Sequence, residues 1–336
     1  MGMLINSVWH EGDNLALTKE AASDGNFMRT ESQFRNWITS DGSPGPTGEA
    51  GYVAEPGRYH LYVAHTCPWA HRTLLYLSLK QLEPIISVSH ALPGRYPGGW
   101  TYRDDPEFAD CIPDTVNGFE CLHQAYSVSS NDYTGKVTVP TLWYKKTGRV
   151  INNESSEIIR MLNSEFNDFT DSKVDYYPEK LRPEIDAIND IIYNNVNNGV
   201  YRCGFATSQS AYDVSVKDLF DTLNQLDLLL DRQRYLVGNQ LTEADLRLFP
   251  TLIRFEACYF GAFKCNIRSL RDYSNLYNYT RDIYQMPGIS DTFNFDYAKK
   301  NYYSIERINP NGIVPLGPKD IEKVYLETHD RDRFVV

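Results

Sequence analysis

Residues 58–72 read RYHLYVAHTCPWAHR, a short apolar run that turns at Thr66-Cys67-Pro68 into a segment of helical composition reaching Leu82. RYHLYVA (58–64) is apolar on both alternating sets, the pattern of a strand covered on two faces rather than one. Pro68 suits the first position of a helix, where its missing N–H costs nothing. Cys67 therefore falls at the cap position, with unpaired backbone N–H groups and the positive end of the helix dipole directed at its sulfur, and a thiolate is favoured there. His71 and Arg72 follow within about a turn and add positive charge. An inert buried cysteine is the commoner fate of this residue type, but burial does not explain the order strand, Cys, Pro, helix. The motif is CPWA and not CPxC, so no second thiol two residues on can resolve a disulfide at Cys67. Resolution by a small external thiol is the remaining chemistry, which implies a glutathione site beside the cysteine.

Working outward, IISVSH (85–90) is a second strand, so a strand, a helix and a strand follow one another and predict a parallel pair with a right-handed crossover. KVTVPTLWYKK (136–146), a turn at Thr147-Gly148 and RVINN (149–153) predict a hairpin, followed by a helix on ESSEIIRMLN (154–163). The order β-α-β then β-β-α is that of the thioredoxin fold. Residues 91–135, rich in Pro, Gly, Asp and Tyr, read as a long irregular insertion. Upstream, residues 41–57 hold five Gly and three Pro in 17 positions and separate an N-terminal arm from the first folded unit.

The second half changes to helical periodicity. Pro183 opens a helix with Ile185, Ile188, Ile192 and Val196 on one face and Gly199 just past its end. Val216, Leu219, Phe220, Leu223, Leu226 and Leu230 form the stripe of an amphipathic bundle helix. Thr242 and Asp245 make a capping-box variant, read as structural.

Composition excludes several classes. The 336 residues carry 33 Lys+Arg against 44 Asp+Glu, a net charge of −11 that opposes non-specific binding to nucleic acid or anionic membranes. Six cysteines without any CxxC pair rule out a disulfide scaffold, a zinc ribbon and a dithiol motif. The N-terminus lacks the features of a signal peptide, and no apolar run approaches a membrane span, so a cytoplasmic protein is expected.

Two further stretches bear on chemistry. In VTVP (137–140), a cis-proline at the strand start would turn Val139 outward to pair its backbone with an extended peptide, whereas a trans edge-strand proline is the plain alternative. In NNESSEIIRM (152–161), Glu154 and Ser155 stand at a helix N-terminus, where the N–H groups and the Ser155 hydroxyl can bind a carboxylate and Glu154 an ammonium. The γ-glutamyl end of glutathione has both groups. A plain capping sequence is the alternative.

Together these residues resemble the cytosolic glutathione transferases. CPWAHR, the GGW run (98–100), VTVP, NNESSEII, NNGVYRCGFA (197–206), FKCN (263–266), RDIYQMPGI (281–289) and INPNGIVPLGP (308–318) resemble more narrowly the glutathionyl-hydroquinone reductases, the Xi class. The resemblance implies an α/β thioredoxin-like N-terminal domain and an all-α C-terminal domain. It divides the chain into an arm and Gly/Pro-rich linker (1–57), a glutathione-binding domain (58–165) with the insertion 91–135, a helical domain (178–296) and a tail (297–336) packing near the active site. It implies Cys67 as the catalytic cysteine, attacking the sulfur of an S-glutathionyl-hydroquinone and passing through a mixed disulfide that a second glutathione resolves. It assigns Trp100, Lys136, Val139, Pro140, Glu154 and Ser155 to glutathione and Tyr201 and Tyr302 to the hydroquinone side. Lys136 stands where the family has arginine, keeping the charge but losing the bidentate fork. The tail reads KKNYYSIER where the family has a His-Tyr-Tyr run, leaving Tyr302 and Tyr303 both open for the tail position. Glutathione is then a co-substrate, with no metal, nicotinamide or flavin, and a homodimer is expected. The rival reading is an omega-like thioltransferase or dehydroascorbate reductase using the same cysteine.

Overall fold

A computed structural model describes residues 2–12, 22 and 24–334. The chain divides into two compact units, Met1–Glu20 with Arg29–Val174, and Ala21–Met28 with Asp175–Val336.

The first unit is built on a four-stranded sheet. Its strands are β5 (Tyr59–Val63), β6 (Ile86–His90), β7 (Thr141–Tyr144) and β8 (Arg149–Asn152), in the spatial order β6-β5-β7-β8. β5 pairs parallel with β6 and antiparallel with β7, and β7 pairs antiparallel with β8. All five residues of β5 are buried, as expected of the central strand in a sheet covered on both faces. Helix α1 (Pro68–Leu79) follows β5 and packs on α3 (Ser155–Ser164), which follows β8. The connectivity β5-α1-β6, then β7-β8-α3, is that of the thioredoxin fold.

Two features extend this frame. The arm forms a small antiparallel hairpin, β1 (Met3–Ile5) with β2 (Val8–His10), whose Leu4 bridges to Gly135, and a parallel pair, β3 (Trp37–Thr39) with β4 (Gly51–Val53). Residues 91–135, expected to be irregular throughout, carry a helix, α2 (Leu122–Ser129). The N–H of Cys121 donates to the Gln124 side chain at 2.9 Å, and Leu122, Ala125 and Tyr126 bury one face. Cysteine is not a customary cap, so the helix start carries little local signal.

The described part of the second unit is helical, with no strand among its described residues. α4 (Arg182–Ile192) runs through a π-helical turn, Tyr193–Asn197, to α5 (Gly199–Phe205). Gly199 thus opens a helix instead of closing one: its neighbours leave a Cβ only ordinary contact with Leu219, so nothing there forces a stop. α6 (Gln209–Leu230) buries the Val216, Leu219, Phe220, Leu223, Leu226 and Leu230 stripe. α7 (Glu243–Arg254) starts at the Thr242 and Asp245 capping box, and α8 (Ser274–Tyr284) and α9 (Phe295–Tyr303) follow. No described helix is long and apolar enough to cross a membrane.

Candidate active site

Cys67 is the N-cap of α1, extended at φ −80° and ψ 116°, with Pro68 at the first helical position. Its half-buried sulfhydryl donates to the carbonyl of Val139 at 3.2 Å. The Val139-Pro140 peptide bond is cis. Strand order explains the approach: β5 and β7 are neighbours, so the helix entry after β5 and the turn before β7 meet at one end of the sheet.

The second cluster is the N-terminus of α3. Glu154 is its N-cap, and its carboxylate accepts from the N–H of Ser156 at 3.1 Å, the Ser156 hydroxyl at 2.9 Å and the Ser32 hydroxyl at 3.1 Å. Burial alone would raise the Glu154 pKa, but those hydrogen bonds and the Arg72 guanidinium outweigh it and hold the carboxyl below the usual range. Arg72 is itself buried, stacks over Trp69 at 4.4 Å and reaches the Ser155 hydroxyl at 3.4 Å. One cation thus connects the first turns of α1 and α3. Lys136 lines a cleft of about 160 Å³ together with Thr30, Glu31, Ser32, Thr138 and Asn153, so it shares a wall with the residues around Glu154. Trp100 is half-buried on a separate loop and is not among the residues lining that cleft.

In the second unit Tyr201 and Tyr302 share a hydrogen bond, Oη to Oη 2.8 Å, and Tyr302 shares another with Tyr259 at 3.0 Å. Burial raises the Tyr302 and Tyr259 phenols well above the ordinary value, so both remain protonated. Tyr303 takes a different direction, with its hydroxyl against Gly261. Of the two tail tyrosines it is Tyr302 that joins Tyr201.

Family models for the glutathione S-transferase N-terminal and C-terminal domains match residues 66–165 and 209–282. The chain is 50% identical over 334 residues to the glutathionyl-hydroquinone reductase YqjG of Escherichia coli, covering 99% of each protein. The chain belongs to the glutathionyl-hydroquinone reductases, the Xi class of the glutathione transferases. Another member of this family, the reductase PcpF of Sphingobium chlorophenolicum, is 47% identical over 95% of this chain and 96% of its own length. The Escherichia coli family member solved with glutathione bound superposes with a TM-score of 0.89 at 48% identity, over 99% of this chain and all of that one. The Xi-class transferase of Phanerochaete chrysosporium gives 0.84 at 45% identity, over 90% and 95% of the two chains.

Several participants escape sequence reasoning. Tyr126 of α2 is fully buried; its phenol donates to the Thr138 carbonyl at 3.0 Å and accepts from Asn153 Nδ2 at 3.1 Å, bracing the 137–140 turn and the approach to Glu154 together. Ser32 reaches Glu154 from the arm across 122 residues of sequence, and Tyr259 reaches Tyr302 across 43. No local pattern marks these three. Among the described residues no cluster of three or more His, Cys, Asp or Glu is arranged to hold a metal ion.

Proposed function

We propose that this chain reduces S-glutathionyl-hydroquinones to hydroquinones at the expense of glutathione, with Cys67 as the nucleophile. The Cys67 thiolate attacks the sulfur of the conjugate; a Cys67–glutathione disulfide forms as the aryl carbon–sulfur bond breaks, and the electron pair left on the ring carbon takes up a proton to give the hydroquinone. The thiolate of a second glutathione then attacks the mixed disulfide, and oxidised glutathione leaves with Cys67 again reduced. In this scheme the conjugate is reduced, two glutathionyl sulfurs are oxidised, and no other redox partner is required.

Val139 offers its backbone to the glutathione peptide beside the sulfur, Pro140 fixing the turn that presents it. Glu154 meets the γ-glutamyl ammonium, the Ser155 hydroxyl and the N–H groups at the start of α3 meet its carboxylate, Lys136 supplies a cation, and Trp100 packs against the tripeptide. Tyr201 and Tyr302 donate to the hydroquinone oxygens. The observation that carries this reading is the thiol of Cys67 at a helix N-cap, 3.2 Å from the carbonyl that precedes the cis-proline.

The test is a single turnover of purified protein with a glutathionyl-hydroquinone, followed by intact mass and hydroquinone release. One glutathionyl group gained per chain with stoichiometric hydroquinone is expected, and neither event in Cys67→Ser. Adduct formation from simple mixed disulfides alone would overturn the reading in favour of an omega-like thioltransferase.

A further inference from the structure

The loop bearing Trp100 contains two consecutive glycines. Gly98 and Gly99 both have positive φ, +86° and +80°, a conformation that glycine adopts freely and therefore also leaves freely. The loop's own turn contributes two hydrogen bonds, from the Gly99 N–H to the Tyr96 carbonyl at 3.0 Å and from the Thr101 hydroxyl to the Gly99 carbonyl at 3.1 Å, and α2 contributes another, from the Leu122 N–H to the Trp100 carbonyl at 2.9 Å. A further restraint comes from the other end of the sequence. The Glu11 carboxylate, just beyond β2, accepts from the Gly98 N–H and from Trp9 Nε1, the latter at 2.7 Å. Trp9 stacks on His123 of α2, ring centroids 4.8 Å apart and planes 14° from parallel, and its ring lies so near Gly99 that a Cβ there would come within 3.1 Å. The hairpin β1-β2 is itself tied down through Leu4 and Gly135, next to Lys136.

We propose that Glu11 is a positioning residue for glutathione binding, acting through the Gly98-Gly99-Trp100 loop. The inference rests on the reading of Trp100 as a glutathione contact. Glu11 does not touch the tripeptide; it removes the freedom of a diglycine loop so that the indole is in place before glutathione arrives, and the entropy of ordering that loop is not charged to binding. The N-terminal hairpin is accordingly part of the glutathione-binding apparatus and not an appendage.

Full-length Glu11→Ala, Glu11→Gln, Trp100→Ala and the Glu11→Ala/Trp100→Ala double variant are assayed for KM and kcat with glutathione varied against a benzohydroquinone conjugate. Glu11→Ala is expected to raise KM for glutathione about 3- to 10-fold, the size of one ordinary net hydrogen bond, because Glu11 acts on glutathione only through the loop, with kcat unchanged. Gln retains an acceptor oxygen and recovers most of the loss. The double variant is no worse than Trp100→Ala alone, because the two act through one loop. An unchanged KM in Glu11→Ala while Trp100→Ala raises it overturns the role of Glu11, as do additive effects in the double variant. An unchanged KM in Trp100→Ala overturns the reading of Trp100 and, with it, the proposal. A fall in kcat of Glu11→Ala with unchanged KM, tracking a lower melting temperature, marks a purely structural role and also refutes it.

Discussion

Replacing Glu154 by Gln removes one charge and leaves the shape of the helix start in place. The carboxylate now caps α3 through the Ser156 N–H and also accepts from the Ser156 and Ser32 hydroxyls. The Gln amide oxygen can keep the first of these, so the loss in stability stays below about 1 kcal/mol. What Gln cannot keep is the charge that the proposed function assigns to the glutathione ammonium. A hydrogen bond between charged groups contributes about 1.5–3 kcal/mol, which corresponds to a roughly ten- to hundredfold rise in KM for glutathione. Because Glu154 is held ionised below the usual carboxylate range, the full penalty is present throughout the neutral region and does not fade toward mildly acidic pH. Steady-state kinetics with glutathione varied measures it, and alkylation of Cys67 by iodoacetamide without glutathione serves as the control, expected to be unchanged. A KM within twofold of the parent would refute the assignment of Glu154 to the ammonium. A matching fall in alkylation rate would show that the variant disturbs the thiol instead.

Tyr302→Phe leaves the Tyr201 and Tyr259 hydroxyls without a shared partner and is expected to slow hydroquinone release about tenfold or more while sparing reduction of a small mixed disulfide; Tyr303→Phe should change neither, and equal losses on both substrates would count against the assignment. Asp245 gives a pH signature. Burial pushes its pKa up to about 6 from an ordinary 3.8, so the folded state takes the proton first as pH falls. Its contribution to stability is thus complete below about pH 4 and is lost as pH rises through 6. The stability advantage of the parent over Asp245→Asn, from urea unfolding, should shrink by about 2 kcal/mol between pH 4 and pH 7, and a flat difference would refute this.

What the sequence made legible was whatever is encoded between near neighbours. The burial of β5, the cap at Cys67, the proline before β7 and the acidic start of α3 are local matters, and each is visible in fewer than ten consecutive residues. The same locality misled at Gly199, where a helical pattern punctuated by glycine continues through a π-turn into the next helix. α2 was hidden because its cap is a cysteine and its eight residues are few for a periodic signal. Arg72 could be named as a nearby cation, but not as the group that stacks on Trp69 and reaches Ser155, since that depends on how α1 packs on α3. Ser32 and Glu11 belong to an arm whose sequence gives no hint of the loops it holds.

The phenol of Tyr126 has a consequence for how this site can change over evolutionary time. One oxygen atom is bonded both to the turn that supplies the acceptor for the Cys67 thiol and to the asparagine that leads into Glu154. The acceptor of the Cys67 thiol and the approach to Glu154 therefore share a single fulcrum inside the first unit. A substitution that shifts this phenol is therefore expected to move both together, and either can be adjusted alone only from positions that do not bond to Tyr126.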